Sequence, residues 1–75
     1  MDNAWKQRIE AARKQRGISR KRLAELAGMG HTSVRHIVVE AHTITLSSLE
    51  RLAHALEVEP AWLAYGVDTE RAEKK

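Results

Sequence analysis

Apolar residues recur along this chain at spacings of three and four, which is the period of α-helices that bury one face. The pattern predicts five helices and contains no alternation typical of strands, no repeat and no low-complexity tract. The core must be largely aliphatic, because the chain has no Phe and only three aromatic residues. We therefore expect an all-α domain over residues 1–67, followed by a flexible charged tail or the start of a linker over 68–75.

The first two helices are bounded by residues with clear terminal preferences. Helix one is predicted from Ala4 to Arg16 and ends at Gly17, a residue common just after helices. Ser19 is a favourable N-cap for helix two, which stops at Gly28. The residues expected to be buried are Trp5, Ile9 and Ala12 in helix one and Leu23, Ala24, Leu26 and Ala27 in helix two.

The last three helices are predicted in the same way. Helix three spans His31 to Val39, and helix four begins after a cap at either Thr45 or Ser47. Helix five spans Pro60 to Tyr65, since proline is favoured at the first helical position. The expected inward residues are Val34, Ile37 and Val38 in helix three, Leu46, Leu49, Leu52, Ala53 and Leu56 in helix four, and Trp62 and Leu63 in helix five.

Helices two and three are short and are joined by only three residues, Gly28-Met29-Gly30. Ala24 lies where the helices should cross closely, and Gly28 stands at a corner that needs a left-handed backbone and where a Cβ would clash. Met29 is expected to fill the corner. A small residue, a corner glycine and inward β-branched residues at this spacing satisfy the steric needs of a helix-turn-helix, which points to DNA binding.

Charge is distributed unevenly along the chain. The net charge is only +3, but residues 1–22 contain eight basic and two acidic residues, whereas 23–75 contain five basic and eight acidic ones. This asymmetry favours an oriented encounter with a polyanion. Cysteine is absent, and no apolar run approaches the roughly 20 residues of a membrane span, so we expect a cytoplasmic protein.

The chain resembles the lambda-repressor-like (Cro/C1-type, XRE) helix-turn-helix family from about Ser19 to Gly66. The residues at the family's signature positions are Ala24, Gly28, Met29, Gly30, Val34 and Ile37, and those that match its fourth helix are Leu49, Leu52, Ala53, Leu56 and Val58. The segment from Pro60 to Gly66 is similar to the Trp-Leu…Gly ending of this domain in phage repressors. The resemblance implies a compact five-helix fold and a regulator that works on the DNA of a bacterial or phage-infected cell.

The chain departs from the family near the end of helix three. Val38 stands where some relatives place the acid of a buried Arg–Glu pair, so Arg13 is expected to point to solvent or phosphate. The family's glycine after this helix and the proline of the following loop are also missing.

The resemblance implies that helix three enters the major groove and that its outward residues read base edges. The predicted base contacts are His31, Thr32, Arg35 and His36; Arg35 is the strongest single reader, because guanidinium matches guanine bidentately. The predicted phosphate contacts are Ser19, Arg20, Lys21, Ser33, Arg13, Arg16, His42 and Thr43, with Arg20 also placed to brace His31.

One domain reads only a half-site, and relatives bind pseudo-palindromes as two-fold dimers. We therefore expect a homodimer on double-stranded DNA that represses transcription by occupying a promoter. Its interface could use Trp62, Leu63, Tyr65 or Val67, although Trp62 and Leu63 could equally cap the core.

The sequence favours three other functions less. A zinc site is disfavoured because His31, His36 and His42 lack the i, i+4 spacing of a helical pair, and no cofactor is expected. An enzyme is not expected, since Ser47, Ser48 and Glu50 are better explained as helix caps. The main alternative is an antitoxin or adaptor that binds a protein through the acidic C-terminal half and regulates its own promoter.

Overall fold

Five α-helices follow one another in the computed structural model, which describes residues 4–66. They are α1 (Ala4–Gln15), α2 (Arg20–Ala27), α3 (His31–Val39), α4 (Leu46–Leu56) and α5 (Pro60–Tyr65). The all-α fold is confirmed, and the predicted limits of α1, α2, α3 and α5 agree with the structure to within one residue. Val67 and the predicted tail 68–75 lie outside the described residues.

The helix starts are fixed by the predicted types of cap. The Ser19 hydroxyl accepts a hydrogen bond from the Arg22 amide at 3.0 Å, and the Thr45 hydroxyl accepts one from the Ser48 amide at 3.2 Å. The cap of α4 is thus Thr45 rather than Ser47. Pro60 occupies the first turn of α5, where its missing N–H costs nothing.

The corner between α2 and α3 depends on the backbone of Gly28. Gly28 has φ +69°, and the amides of Gly28 and Met29 donate to the carbonyls of Glu25 and Ala24. These bonds satisfy carbonyls that the end of α2 would leave without partners. The expected Cβ clash at Gly28 is wrong, since a Cβ there would meet nothing within 4 Å. The requirement for glycine comes from the left-handed conformation itself, which side chains with a Cβ adopt at a cost.

The core lies where α2 packs on α3 and α4, and where α1 packs on α3 and α5. Ala24 is 2% exposed, so the close approach of α2 to its neighbours is confirmed. Met29 packs against the core as predicted. The fully buried side chains are Trp5, Ile9, Leu23, Val34, Leu52, Leu56 and Leu63.

Two leucines predicted to be buried are exposed instead. Leu26 in α2 is 43% exposed and Leu46 in α4 is 68% exposed. Leu26 lies at the edge of the stripe formed by Leu23, Ala24 and Ala27. Leu46 is the first residue of α4, and none of the helices within residues 4–66 covers it. Periodicity correctly assigned the buried faces but overestimated their width.

Long side chains of α1 tie the ends of distant helices together. The Arg8 guanidinium donates to the carbonyls of Leu63 and Ala64 at 2.8 and 2.7 Å, and so caps the C-terminus of α5 with a cation. Arg16 forms an ion pair with Glu57, which ends α4 with φ +58°. These contacts hold the N-terminal helix onto the C-terminal half of the domain.

Within residues 4–66, no helix has the length and apolar character needed to cross a membrane.

We predict that Gly28→Val destabilises the domain by more than about 1 kcal/mol, because a β-branched residue must adopt the left-handed conformation there. Chemical denaturation measures the free energy of unfolding. Gly28→Asn is the matched control and should cost less, since Asn tolerates this conformation. Equal stability of the valine variant and the parent would show that the corner does not constrain the fold.

Candidate nucleic-acid interface

The third helix is fixed to the body along one side and exposed along the other. Val34 is 0% exposed, and Ile37 and Val38 are also buried, as predicted. The opposite side is formed by exposed polar residues, His31, Thr32, Ser33, Arg35 and His36. Because the buried residues prevent the helix from rotating, the outward residues have fixed relative positions.

Most of these outward residues share one shallow depression. Thr32, Ser33, Arg35 and His36 line it together, while His31 is exposed at the first position of α3. The rest of the lining comes from Met29, Ile37, Val39, Glu40 and Ser48. Four sequence-predicted contacts are therefore brought together, three to bases and one, Ser33, to phosphate.

Arg35 differs from the other arginines that the structure describes. Arg8, Arg13, Arg16, Arg20, Arg22 and Arg51 each donate hydrogen bonds within the protein. Arg35 donates none to any group of residues 4–66. Its guanidinium is thus exposed on the outward face with its five donors available to a ligand.

His36 is the second distinctive group on this face. Its Nδ1 lies 3.1 Å from a carboxylate oxygen of Glu40, one helical turn further along the chain. Both side chains are exposed, at 63% and 69%. The carboxylate therefore orients the imidazole ring from the end of α3.

Glu10 connects α1 to the start of α2. Its carboxylate accepts from Arg13 at 3.0 Å and from Arg20 at 2.7 Å, and Arg13 also donates to the Ile18 carbonyl at 2.7 Å. Burial of Glu10 raises the pKa of its carboxyl, but the hydrogen bonds and charges of Arg13 and Arg20 together outweigh burial and lower the pKa below its usual value of 4.5. Glu10 is thus ionised at neutral pH and bound to both arginines.

The expectation that Arg13 points to solvent or phosphate is wrong. With Val38 at the place of the family acid, Arg13 finds its partner within its own helix, and its side chain is only 15% exposed. Arg20 likewise pairs with Glu10 instead of bracing His31, although its side chain remains 39% exposed. Glu10 is therefore the acid that determines where the side chains of Arg13 and Arg20 lie.

All five arginines of residues 1–22 donate to groups of the protein itself, some of them at the surface, which weakens the simple interpretation of the basic N-terminal cluster. Arg16 is engaged by Glu57, and Arg22 by Glu25 at 3.1 Å. Lys6 lies over the Trp5 ring, with 5.8 Å between Nζ and the ring centroid. Lys14 and Lys21 are exposed and form no side-chain hydrogen bond with the described residues.

The remaining predicted phosphate contacts lie at the start of α2 and in the connection between α3 and α4. Ser19 caps α2, and Lys21 is in the first turn of that helix. His42 and Thr43 are exposed in the connection between α3 and α4. Thr43 also borders an apolar groove between that connection and α5.

Sequence reasoning missed three contacts near this interface. Glu10 entered the sequence analysis only as one of two acids in a basic segment, and Glu40 was assigned no role there. Arg51 of α4 reaches the Gly28 carbonyl at 3.4 Å, across 23 residues. The i, i+3 and i, i+4 spacings of Glu10–Arg13 and His36–Glu40 were a usable signal, whereas nothing local indicated the Arg51 contact.

Within residues 4–66, no group of three His, Cys, Asp or Glu side chains is placed to hold a metal ion.

Comparison with known proteins is consistent with this geometry. The helix-turn-helix family model matches residues 9–63, which is more than two thirds of the chain. The chain belongs to the helix-turn-helix family. As the residues around Gly28 indicated, its type within that family is lambda-repressor-like (Cro/C1, XRE).

A solved structure of the same family has a similar fold. The crystal structure of the restriction-modification controller protein C.AhdI from Aeromonas hydrophila matches with a TM-score of 0.73 and 30% sequence identity. The match covers 79% of this chain and 89% of the controller protein. No curated protein matches the chain by sequence. The comparisons support a DNA-binding transcriptional regulator, with α2 and α3 as its helix-turn-helix.

We predict that Glu10→Gln destabilises the domain at neutral pH, because Arg13 and Arg20 lose a charged partner. A carboxyl with a lowered pKa in the folded state contributes stability above its unfolded pKa and loses it as the pH falls through the folded pKa. The difference between variant and parent should therefore be present at pH 7 and shrink below about pH 4. Denaturation measured across this range tests the expectation, with Glu25→Gln as the exposed control. A gap that did not change with pH would contradict the role of the Glu10 charge.

Proposed function

We propose that this protein is a transcriptional repressor that binds a pseudo-palindromic operator as a homodimer, with α3 of each copy in the major groove. The observation that carries the proposal is the Arg35 guanidinium, which has no hydrogen-bond partner within residues 4–66 and lies on the exposed face of a helix held by Val34, Ile37 and Val38. The other arginines of residues 4–66 donate hydrogen bonds within the protein, so Arg35 is the described arginine that remains available to an acceptor on a ligand. The edge of guanine offers two acceptors at the spacing of a guanidinium.

The proposed base contacts are those that the outward face of α3 provides. Arg35 reads guanine, and Thr32 contacts a thymine methyl group or a base-edge donor or acceptor. His31 and His36 complete the set, His31 from the N-terminal end that enters the groove first. Their exposure and their fixed backbone support this assignment.

The proposed phosphate contacts flank this face. Ser19 and Lys21 act at the start of α2, where backbone N–H groups favour an anion, and Arg20 joins them through the part of its side chain that remains exposed. Ser33, His42 and Thr43 act from α3 and the connection after it. Arg13 is bound to Glu10 and only 15% exposed, so we assign it to the fold and not to the DNA. Arg16 is paired with Glu57 but 40% exposed, so it joins the phosphate contacts in the same way as Arg20.

The dimer is proposed to form through the groove between α5 and the start of α4. Its lining is mostly apolar, and it includes Leu46 and Tyr65, which are 68% and 67% exposed. Of the interface residues predicted from sequence, Tyr65 fits this groove, but Leu63 is fully buried and belongs to the core. Trp62 is partly buried against the core as well. Pairing of two such grooves about a two-fold axis would cover the exposed apolar surface of both copies.

We expect selection from randomised duplexes to return a two-fold symmetric site. Arg35→Ala should lose discrimination at one base pair of each half-site, by about 1–3 kcal/mol, while the melting temperature stays unchanged. Arg22→Ala removes an equal charge from an exposed ion pair and should keep the sequence preference. If the Arg35 variant selected the same sequences as the parent, the assignment of Arg35 would be wrong.

We expect affinity for the selected site to fall steeply with salt, because cations bound to phosphates release counterions. Lys21→Gln should reduce the slope of log K against log salt by about 0.9 and leave the sequence preference intact. Lys6→Gln is the control, since Lys6 lies over the Trp5 ring. A flat salt plot for the parent would rule out the phosphate contacts.

Leu46→Glu should shift the protein from dimer to monomer in sedimentation without DNA, because each interface then buries two carboxylates. Leu26→Glu is the matched control, since Leu26 is also an exposed leucine but does not line the groove. Equal dimerisation of both variants would place the interface elsewhere.

A further inference from the structure

Glu40 lies in an unfavourable place for an acid. It follows the last residue of α3, where the helix dipole is negative, and it borders the depression that carries Arg35 and His36. In the proposed complex this position also approaches the phosphates, which repel a carboxylate. Within residues 4–66, the Glu40 carboxylate has one hydrogen-bond partner, the Nδ1 of His36 at 3.1 Å.

This contact has a chemical consequence for the other ring nitrogen. A neutral imidazole has one N–H donor and one acceptor nitrogen, and the partner of one nitrogen decides the state of the other. An ionised carboxylate only accepts, so it favours the proton on Nδ1. The Nε2 of His36 is then an acceptor, and it forms no hydrogen bond with the described residues.

We propose that Glu40 is a specificity-determining residue that acts through His36, by setting its Nε2 as a hydrogen-bond acceptor toward the bases. In the major groove an acceptor matches the amino groups of adenine N6 and cytosine N4, whereas a donor matches guanine N7 and O6. Glu40 itself touches no base and is a positioning residue. This inference rests on the proposed function, since it needs α3 in the major groove.

Among the groups around His36, Glu40 is the one that decides which ring nitrogen carries the proton. Among the residues that share its depression, the other charged group is Arg35, on the same helix. The turn between α2 and α3 contributes Met29, and α4 contributes Ser48; neither residue is charged. No second carboxylate of this lining competes for the Nδ1 proton.

The first test needs no DNA. Imidazole ¹⁵N–¹H correlation spectra, recorded above the titration range of histidine, distinguish the two tautomers directly. We expect Nδ1–H for His36 in the parent and Nε2–H in Glu40→Lys, because the lysine ammonium group only donates and therefore favours Nδ1 as an acceptor. His54, whose ring has no hydrogen-bond partner within residues 4–66, serves as the reference whose tautomer Glu40→Lys leaves unchanged. The same tautomer for His36 in parent and variant would overturn the proposal.

The second test is selection from randomised duplexes under the same conditions. Glu40→Lys should move the preference at one base pair of each half-site from an amino-bearing edge toward guanine, by about fivefold or more. In a His36→Ala background, Glu40→Lys should strengthen binding to all duplexes and leave that preference unchanged. A shift that persisted without His36 would assign the effect to the lysine and overturn the proposal.

Failure of the proposed function would look different. If the parent bound no duplex at all, the DNA-binding function would be wrong, and this inference with it. If the parent selected a site that Glu40→Lys left unchanged at every position, only the role of Glu40 would be wrong.

Discussion

The left-handed backbone at Gly28 determines where the third helix lies, and the rest of the interface depends on that placement. The turn ends α2 with bonds from the Gly28 and Met29 amides, and it lets α3 pack beside Ala24. Because Ala24 has almost no side chain, α2 and its neighbours approach closely. Val34, Ile37 and Val38 then fix the rotation of α3, so its polar side faces outward as a unit.

Helix boundaries were predictable because local chemistry decides them. Ser19, Thr45, Pro60 and the glycines each act on the backbone of their immediate neighbours, and their effect is visible in the sequence. Burial was less predictable, since it depends on what packs against a helix. Leu26 and Leu46 satisfy the period of a buried stripe but lie at its edge or its end, where the domain provides no cover.

The use of the arginines could not be predicted from charge counts. The basic excess of residues 1–22 indicated a polyanion partner, yet every arginine of that segment donates to a group of the protein itself. Arg8 binds carbonyls 55 and 56 residues away, and Arg16 binds Glu57. Such contacts are set by the tertiary arrangement, so a net charge of one segment does not tell which cations remain for a ligand. For a small domain, charged hydrogen bonds of this kind supplement a core with few large side chains.

The residues of a recognition helix therefore do not define a binding site by type alone. Arginine has only donors, so an exposed Arg35 leaves few choices of base edge. Histidine can donate or accept, and its role depends on which nitrogen holds the proton. Where a neighbouring side chain such as Glu40 controls that proton, two proteins with identical outward residues in α3 would prefer different bases. If the proposed role of Glu40 holds, the specificity of this domain depends on a residue one helical turn beyond His36 as well as on the outward residues of α3, because Glu40 sets the hydrogen-bonding state of His36.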